Sequence, residues 1–98
     1  MRLSKSNIQI IKDKIKQWDP SARIYLFGSR TDDNKRGGDI DLLIETSALV
    51  ENPALIIARL SAGLMRLLQG RKVDIVLSAP NLMQQSIHQQ AKSKGIPL

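Results

Sequence analysis

The sequence predicts an α/β fold of the α+β type, in which helices flank a small mixed β-sheet. Two stretches carry apolar residues at spacings of three and four, which is typical of amphipathic helices. Three short segments rich in β-branched residues alternate with these stretches and are typical of strands. The 98 residues are enough to bury one core, so we expect a single domain over residues 1–98.

The first predicted helix begins at Ser6 and ends at the sequence WDPSA. Ser6 and Gln9 have the spacing of a capping box, in which two side chains satisfy free amides at a helix start. The helix has an apolar stripe, which we expect to face the core. The stripe consists of Ile8, Ile11, Ile15 and Trp18. The lysines between these residues predict a solvated face, with RNA binding as the alternative; they are Lys12, Lys14 and Lys16.

Three strands are predicted in the segments ARIYLFG, DIDLLIE and RKVDIVL. Because side chains alternate along a strand, Asp39 and Asp41 point to one face and the apolar residues between and after them point to the other. The last segment carries Asp74 between β-branched residues, a place that normally excludes a charge. Arg71 and Lys72 precede this strand and either contact phosphate or cap the preceding helix.

Asn52 and Pro53 predict the start of a second helix, with Asn52 as the N-cap and proline at the first helical position. This helix is strongly apolar up to Gly70, and we expect Met65 to lie in its buried face. The segment SAPNL opens a last helix, which ends at Gly95 and the proline that follows. The element order predicts a small sheet covered by helices.

The charge of the chain limits the classes of partner. A formal charge of +6 suits an anionic partner such as a nucleotide, an RNA or an acidic protein. Direct nucleic-acid binding therefore stays open. The absence of cysteine excludes disulfides and thiolate metal sites. No signal peptide and no membrane span are predicted, so we expect a cytoplasmic protein.

The paired aspartates predict a metal site. Two residues apart on one strand, the Cα atoms of Asp39 and Asp41 lie roughly 6.5–7 Å apart, so that both carboxylates can reach the same cations. If the strand with Asp74 is a neighbour, three carboxylates converge, and their repulsion requires a neutralising cation. Mg²⁺ suits such oxygen ligands. Two ions about 3.5–4 Å apart can clamp both oxygens of a phosphoryl displacement.

A phosphate-binding turn is predicted between the first two strands. Gly28 allows a tight turn and a close approach to a ligand, while the hydroxyl of Ser29 and the following amides can donate to phosphate oxygens. A polar loop then leads through two glycines, the second of which is Gly38, to Asp39. The turn predicts a site for a triphosphate beside the metal site.

Together these segments resemble the minimal nucleotidyltransferases of the DNA polymerase β superfamily. The resemblance is carried by LFGSR, nine residues from Arg30 to Gly38, DIDLLI, and KVDIVL, and it covers nearly the whole chain. It implies the nucleotidyltransferase fold of the polymerase β catalytic core. It further implies that three acids are catalytic and bind metal, and that the segment before them binds the nucleotide. The acids are Asp39, Asp41 and Asp74, with Asp74 as the base, and the nucleotide-binding residues are Gly28, Ser29, Arg30 and Gly38.

The resemblance also implies a biological setting. Small members of this family are commonly antitoxins encoded beside a HEPN-domain ribonuclease toxin, and some silence the toxin by transferring AMP from ATP to a tyrosine. We therefore expect an ATP- and Mg²⁺-dependent transfer of AMP to a hydroxyl, with a HEPN-type toxin as the partner in a homo- or hetero-oligomer. The alternatives are a non-catalytic antitoxin of the same fold and transfer to a small molecule.

Overall fold

The computed structural model describes residues 4–27, 40–82 and 95–98. Two helices and four strands lie in these ranges: α1 Lys5–Trp18, β1 Arg23–Phe27, β2 Ile40–Glu45, α2 Pro53–Leu67, β3 Val73–Ser78 and β4 Ile96–Pro97. The two predicted helices and the three predicted strands are confirmed. The predicted phosphate turn and most of the predicted last helix lie outside the described residues.

The helix starts differ in how well the sequence predicted them. The N-cap of α2 is Asn52, whose side chain accepts a hydrogen bond of 3.2 Å from the amide of Leu55, as predicted. The predicted capping box at Ser6 is wrong, because α1 begins at Lys5 and its N-cap is Ser4, which accepts from the amide of Asn7 at 3.1 Å. Both serines are good caps, and the earlier one gives α1 an additional half turn.

The strands form a mixed sheet in the order β3-β2-β1-β4. The hairpin partners β1 and β2 are antiparallel, whereas β2 and β3 are parallel and are connected through α2. Strand β4 was not predicted. It is two residues long and pairs with β1 at the edge of the sheet, a position that tolerates proline because no further strand needs its amide.

The helices cover one face of the sheet. Ile24 and Leu26 of β1 point into this layer, as do Ile40, Leu42 and Ile44 of β2 and the alternate residues of β3. The helices contribute the remaining large side chains of the core, namely Ile11, Ile15, Leu60, Leu64 and Leu68. Met65 was expected in the buried face of α2, which is wrong: its side chain is 38% exposed.

Polar contacts tie the ends of strands and helices together at one end of the sheet. Thr46, just after β2, donates a hydrogen bond from its hydroxyl to the carboxylate of Asp19, just after α1. This bond is the main reason why the pKa of Asp19 lies below its ordinary value; partial burial raises the pKa by less, and the amide and hydroxyl of Ser21 lower it further. The side-chain amide of Asn81 bonds to both backbone groups of Val50 at 3.0 and 2.7 Å.

No helix in the described ranges has the length and apolar character that crossing a membrane would require.

Replacing Thr46 with valine should lower the free energy of unfolding at pH 7 by about 1–2 kcal/mol, because the hydrogen bond from the Thr46 hydroxyl to the Asp19 carboxylate is lost. The folded-state pKa of Asp19 is lowered, so the stability that this contact adds is complete above the ordinary aspartate pKa of about 3.9 and is lost as the pH falls through the lowered pKa. In urea denaturation, the difference between wild type and Thr46→Val should therefore shrink below about pH 4. Ser47→Ala is the control, and a difference that does not change with pH would contradict the assignment.

Candidate active site

Two of the three predicted acids face each other across neighbouring strands. The parallel register places Asp41 of β2 directly opposite Asp74 of β3. Their Cα atoms are therefore separated by about 4.8 Å, the spacing between adjacent strands, and their side chains leave the sheet on the same side. From the sequence, we expected these carboxylates to converge only if their two strands are neighbours in the sheet. The structure meets that condition.

The two carboxylates lie on the sheet face that α1 and α2 do not cover, which we call the open face. Both side chains are half-buried, whereas the alternate residues of the same strands are in the core. Phe27 of β1 is the register partner of Asp41, so a row of Phe27, Asp41 and Asp74 crosses three strands. This row lies at the start of β2 and β3 and at the end of β1.

An apolar row lies next to the acids on the same face. Tyr25, Leu43 and Val76 are register partners across the three strands, and Leu43 is fully buried. Apolar neighbours lower the local dielectric constant and strengthen the interaction of the carboxylates with a cation or with a titrating group. The acids therefore lie beside a partly buried apolar surface.

Backbone hydrogen bonds hold the acids at this end of the sheet. The amide of Ile40 donates to the carbonyl of Lys72 at 2.9 Å, and the pairing continues to the bond of 2.9 Å from the amide of Thr46 to the carbonyl of Ser78. Asp41 is the residue after Ile40, and Asp74 is the second residue after Lys72. The pairing of β2 with β3 therefore extends over the full length of both strands.

Lys72 is a cation beside the acid pair. Its Nζ lies 3.8 Å from Oδ1 of Asp74, and the two side chains are 63% and 47% exposed. An exposed pair at this distance contributes little stability. The sequence left open whether Lys72 caps α2 or meets phosphate. In the structure its ammonium group lies beside Asp74.

The other predicted site residues lie outside the described residues. These are Gly28, Ser29, Arg30, Gly38 and Asp39. Within the described ranges, no group of three histidine, cysteine, aspartate or glutamate residues can hold a metal ion. The acid pair supplies two of the three predicted carboxylates, and Asp39 immediately precedes β2 in the sequence.

A separate polar hollow of about 570 Å³ lies at the opposite end of the sheet. Arg23, Glu45 and Ser78 line it and are register partners on the open face. Glu45 lies four positions after Asp41 in β2, which corresponds to roughly 13 Å along the strand. This hollow is therefore distinct from the acid pair.

Two residues of the acid end carried only a weak signal in the sequence. Phe27 has the alternation that places it on the open face, but only the register shows that it is the neighbour of Asp41. Lys72 has a charge of the right sign, but only the start of β3 brings it beside Asp74. The signal in both cases is the position of the residue at a strand end.

We expect the acid pair to cost stability when no cation is bound. Like charges at directly opposed positions of a sheet are destabilising by about 0.2–1 kcal/mol. In metal-free buffer at low salt, the Asp41→Asn, Asp74→Asn protein should therefore be as stable as wild type or more stable in urea denaturation, and the difference should decrease as salt is added. A loss of more than about 1 kcal/mol would show that the pair supports the fold instead.

Comparison with known proteins identifies the domain family and the fold. Residues 8–96 match the nucleotidyltransferase domain family. A solved structure of a mutant of the MntA–HpeT toxin–antitoxin is similar to this chain, with a TM-score of 0.67, 23% identity, and coverage of 99% of this chain and 72% of that chain. At this identity the likeness shows the fold. No curated protein matches the sequence.

The family match spans almost all of the described strands and helices, including both strands that carry the acid pair. The mixed four-stranded sheet with two helices on one face is also the architecture shared with the solved structure. The chain therefore belongs to the nucleotidyltransferase domain family.

Proposed function

We propose that this chain transfers AMP from ATP to a hydroxyl group of a partner protein and thereby acts as the antitoxin of a toxin–antitoxin pair. The observation that carries the proposal is the placement of Asp41 opposite Asp74 on the open face of the sheet. Two carboxylates at directly opposed positions repel each other, and a bound cation removes that repulsion. The family supplies the class of reaction, and the acid pair supplies the place for it.

The proposed reaction assigns separate roles to the general base, to the nearby cation and to the segment that binds the phosphates. The hydroxyl oxygen of the acceptor forms a bond to the α-phosphorus of ATP, the bond to the β-phosphate breaks and pyrophosphate leaves. Asp74 accepts the proton of the hydroxyl. The exposed ammonium of Lys72, close to Asp74, offers a positive charge to the triphosphate. Ser29 and the glycines around it hold the phosphates, in the segment that precedes the acids.

The residues present fit Mg²⁺. Asp41 and Asp74 offer hard oxygen donors from adjacent strands, and Asp39 adds a third carboxylate next to them in the sequence. When bound, the ions neutralise charge that develops on the phosphate oxygens. The two carboxylates remain half-exposed on the open face, so a cation can reach them without unfolding of the sheet.

The partner protein is proposed on two grounds. The transfer requires a hydroxyl held in a fixed position beside the acids, and a partner protein that presents its own hydroxyl there meets that requirement. The solved structure with the same fold belongs to a toxin–antitoxin. A HEPN-type toxin, encoded beside this chain, is the partner that the family resemblance favours.

Incubation of the chain with ATP, Mg²⁺ and the product of the neighbouring gene should raise the mass of that product by about 329 Da for each AMP, which is AMP less one water. Asp74→Asn should slow the transfer by about a hundredfold or more, since a positioned general base contributes that much. Glu45→Gln is the matched control: it makes the same kind of chemical change on the same face of the sheet, at the opposite end of β2, and should leave the rate unchanged. Intact-protein mass spectrometry over time measures both.

The competing function is a non-catalytic antitoxin, which the toxin–antitoxin neighbour also suits. Under that function wild-type protein binds the partner and blocks its activity while the partner's mass stays constant, and Asp74→Asn protects as well as wild type. That pair of results would overturn the transfer reaction. Added mass that depends on Asp74 would exclude inhibition by contact alone.

A further inference from the structure

A groove follows the outer side of the seam between α1 and α2. Three hollows of about 390, 230 and 410 Å³ lie along it. The first and second share Lys14 and Gln17, and the second and third share Trp18 and Ile56, so that the three form one continuous surface. We call this surface the seam groove.

The seam groove has apolar side chains at both ends, each beside one carboxylate, Asp13 at one end and Glu51 at the other. Ile10 and Leu67 line one end, and Trp18, Ile56 and Leu49 line the other. Leu49 is 74% exposed and Leu67 is 51% exposed, which makes them the two most exposed large apolar side chains among the described residues. Single exposed leucines need no explanation, but two such side chains at opposite ends of one groove indicate a binding surface.

Two cations lie in the middle of the seam groove. Lys14 and Arg59 line the central hollow together. Lys14 lies across the seam because α2 has Gly63 at that point: a Cβ on Gly63 would be 2.7 Å from Cε of Lys14. The stem of Lys14 therefore occupies the space that a side chain at position 63 would fill, which places Lys14 at the seam, in the hollow that Arg59 also lines.

The charge at the centre of the groove determines what kind of molecule fits there: Lys14 and Arg59 line the central hollow, whereas the acids that line the groove are in the two end hollows. The two helices contain four lysines, two arginines and one aspartate, so they carry a net +5 of the chain's formal +6. A second copy of this chain would bring the same positive layer against it. Charge complementarity instead requires a partner with carboxylates, and the exposed leucines require aliphatic anchors on that partner.

A nucleic acid fits the groove poorly. Bases stack on aromatic side chains, and Trp18 is the only aromatic residue that lines the three hollows. The exposed side chains at both ends are leucines, which do not provide stacking surfaces. A protein segment with apolar residues at its two ends and acidic residues between them can contact the exposed leucines at both ends of the groove and the two cations at its centre.

The length of the groove suits a short helix. From Ile10 to Trp18, α1 rises by about 12 Å, and the hollow at Leu49 continues beyond that point. A helix of about three turns covers this distance. Amphipathic helices commonly dock in this way, with apolar anchors separated by several turns.

We propose that the seam groove binds an amphipathic acidic helix of a partner protein. Its apolar anchors cover Leu49 and Leu67, and its central carboxylates pair with Lys14 and Arg59. This surface lies on the helical side of the sheet, whereas Asp41 and Asp74 lie on the other side. Binding in the groove is therefore independent of the transfer reaction and leaves the acid pair accessible.

The test uses a fluorescein-labelled, helix-stabilised peptide of 14 residues, with leucines near both ends and two glutamates in the middle. Fluorescence anisotropy should show saturable binding to the wild-type chain. Lys14→Glu, Arg59→Glu should weaken it at least tenfold, and Leu49→Ser, Leu67→Ser should do the same; the leucine pair changes only exposed side chains, so folding is retained. Circular dichroism checks the fold of each variant.

The matched control is Lys16→Glu, Arg66→Glu. It makes the same change in charge on the same two helices, at exposed residues that do not line the three hollows. This control should weaken binding less than threefold. A peptide with lysines in place of its glutamates should regain affinity for the Lys14→Glu, Arg59→Glu protein. Asp41→Asn should bind the original peptide as wild type does, which separates this inference from the proposed transfer.

Several results would overturn the proposal. One is that the peptide does not bind at 1 mM wild-type protein, and another is that the control and the groove variants lose affinity for the peptide equally. A dimer in sedimentation that Leu49→Ser, Leu67→Ser dissociates would also overturn it, because the groove would then hold a second copy of this chain. Displacement of the peptide by a single-stranded RNA of 12 nucleotides, lost in the groove variants alone, would assign the groove to nucleic acid.

Discussion

The parallel pairing of β2 with β3 is the constraint on which the proposed site depends. It places Asp41 opposite Asp74, and a shift of one residue in either strand would turn that strand's acid toward the core and its apolar side chains toward the open face. The burial of Ile40 and Leu42 therefore keeps the carboxylates on the open face as effectively as any direct contact. Because a parallel pair needs a long connection, α2 must cross between the two strands, and it covers the core face as it does so.

The same connection gives the molecule two unlike surfaces. One face of the sheet carries the half-buried acids beside Lys72, with an apolar row behind them. The helical layer on the other side carries most of the positive charge and the seam groove. In the account proposed here, the first surface performs the transfer and the second holds a partner, so that a partner can remain bound while the acids stay accessible to a nucleotide.

The predictions from sequence succeeded where a local pattern decides the outcome. Alternation placed Asp41 on the face opposite Leu42, and the Asn52–Pro53 pair marked the start of α2. They failed where several local choices are equivalent or where tertiary packing decides. Ser4 and Ser6 are equally good caps, and Met65 is apolar but exposed. Strand β4 is only two residues long and exists because β1 offers it an edge, and the seam groove exists only once α1 and α2 are placed side by side. The roles of Gly28, Ser29, Arg30, Gly38 and Asp39 stay predictions from the sequence.

The central claim is that the end of the sheet with Asp41 and Asp74 binds a divalent cation, and paramagnetic relaxation by Mn²⁺ tests it most directly. Substoichiometric Mn²⁺ is added to the ¹⁵N-labelled chain, and the relaxation rates of assigned amide protons are compared. The account predicts the largest increase at the amides of Asp41 and Asp74, and a much smaller one at Glu45 and Ser78, which lie four residues further along the same strands. Addition of excess Mg²⁺ should reverse the increase, and Asp41→Asn, Asp74→Asn should abolish it. The largest increase at the opposite end of the sheet, or on α1 near Asp13, would contradict the claim.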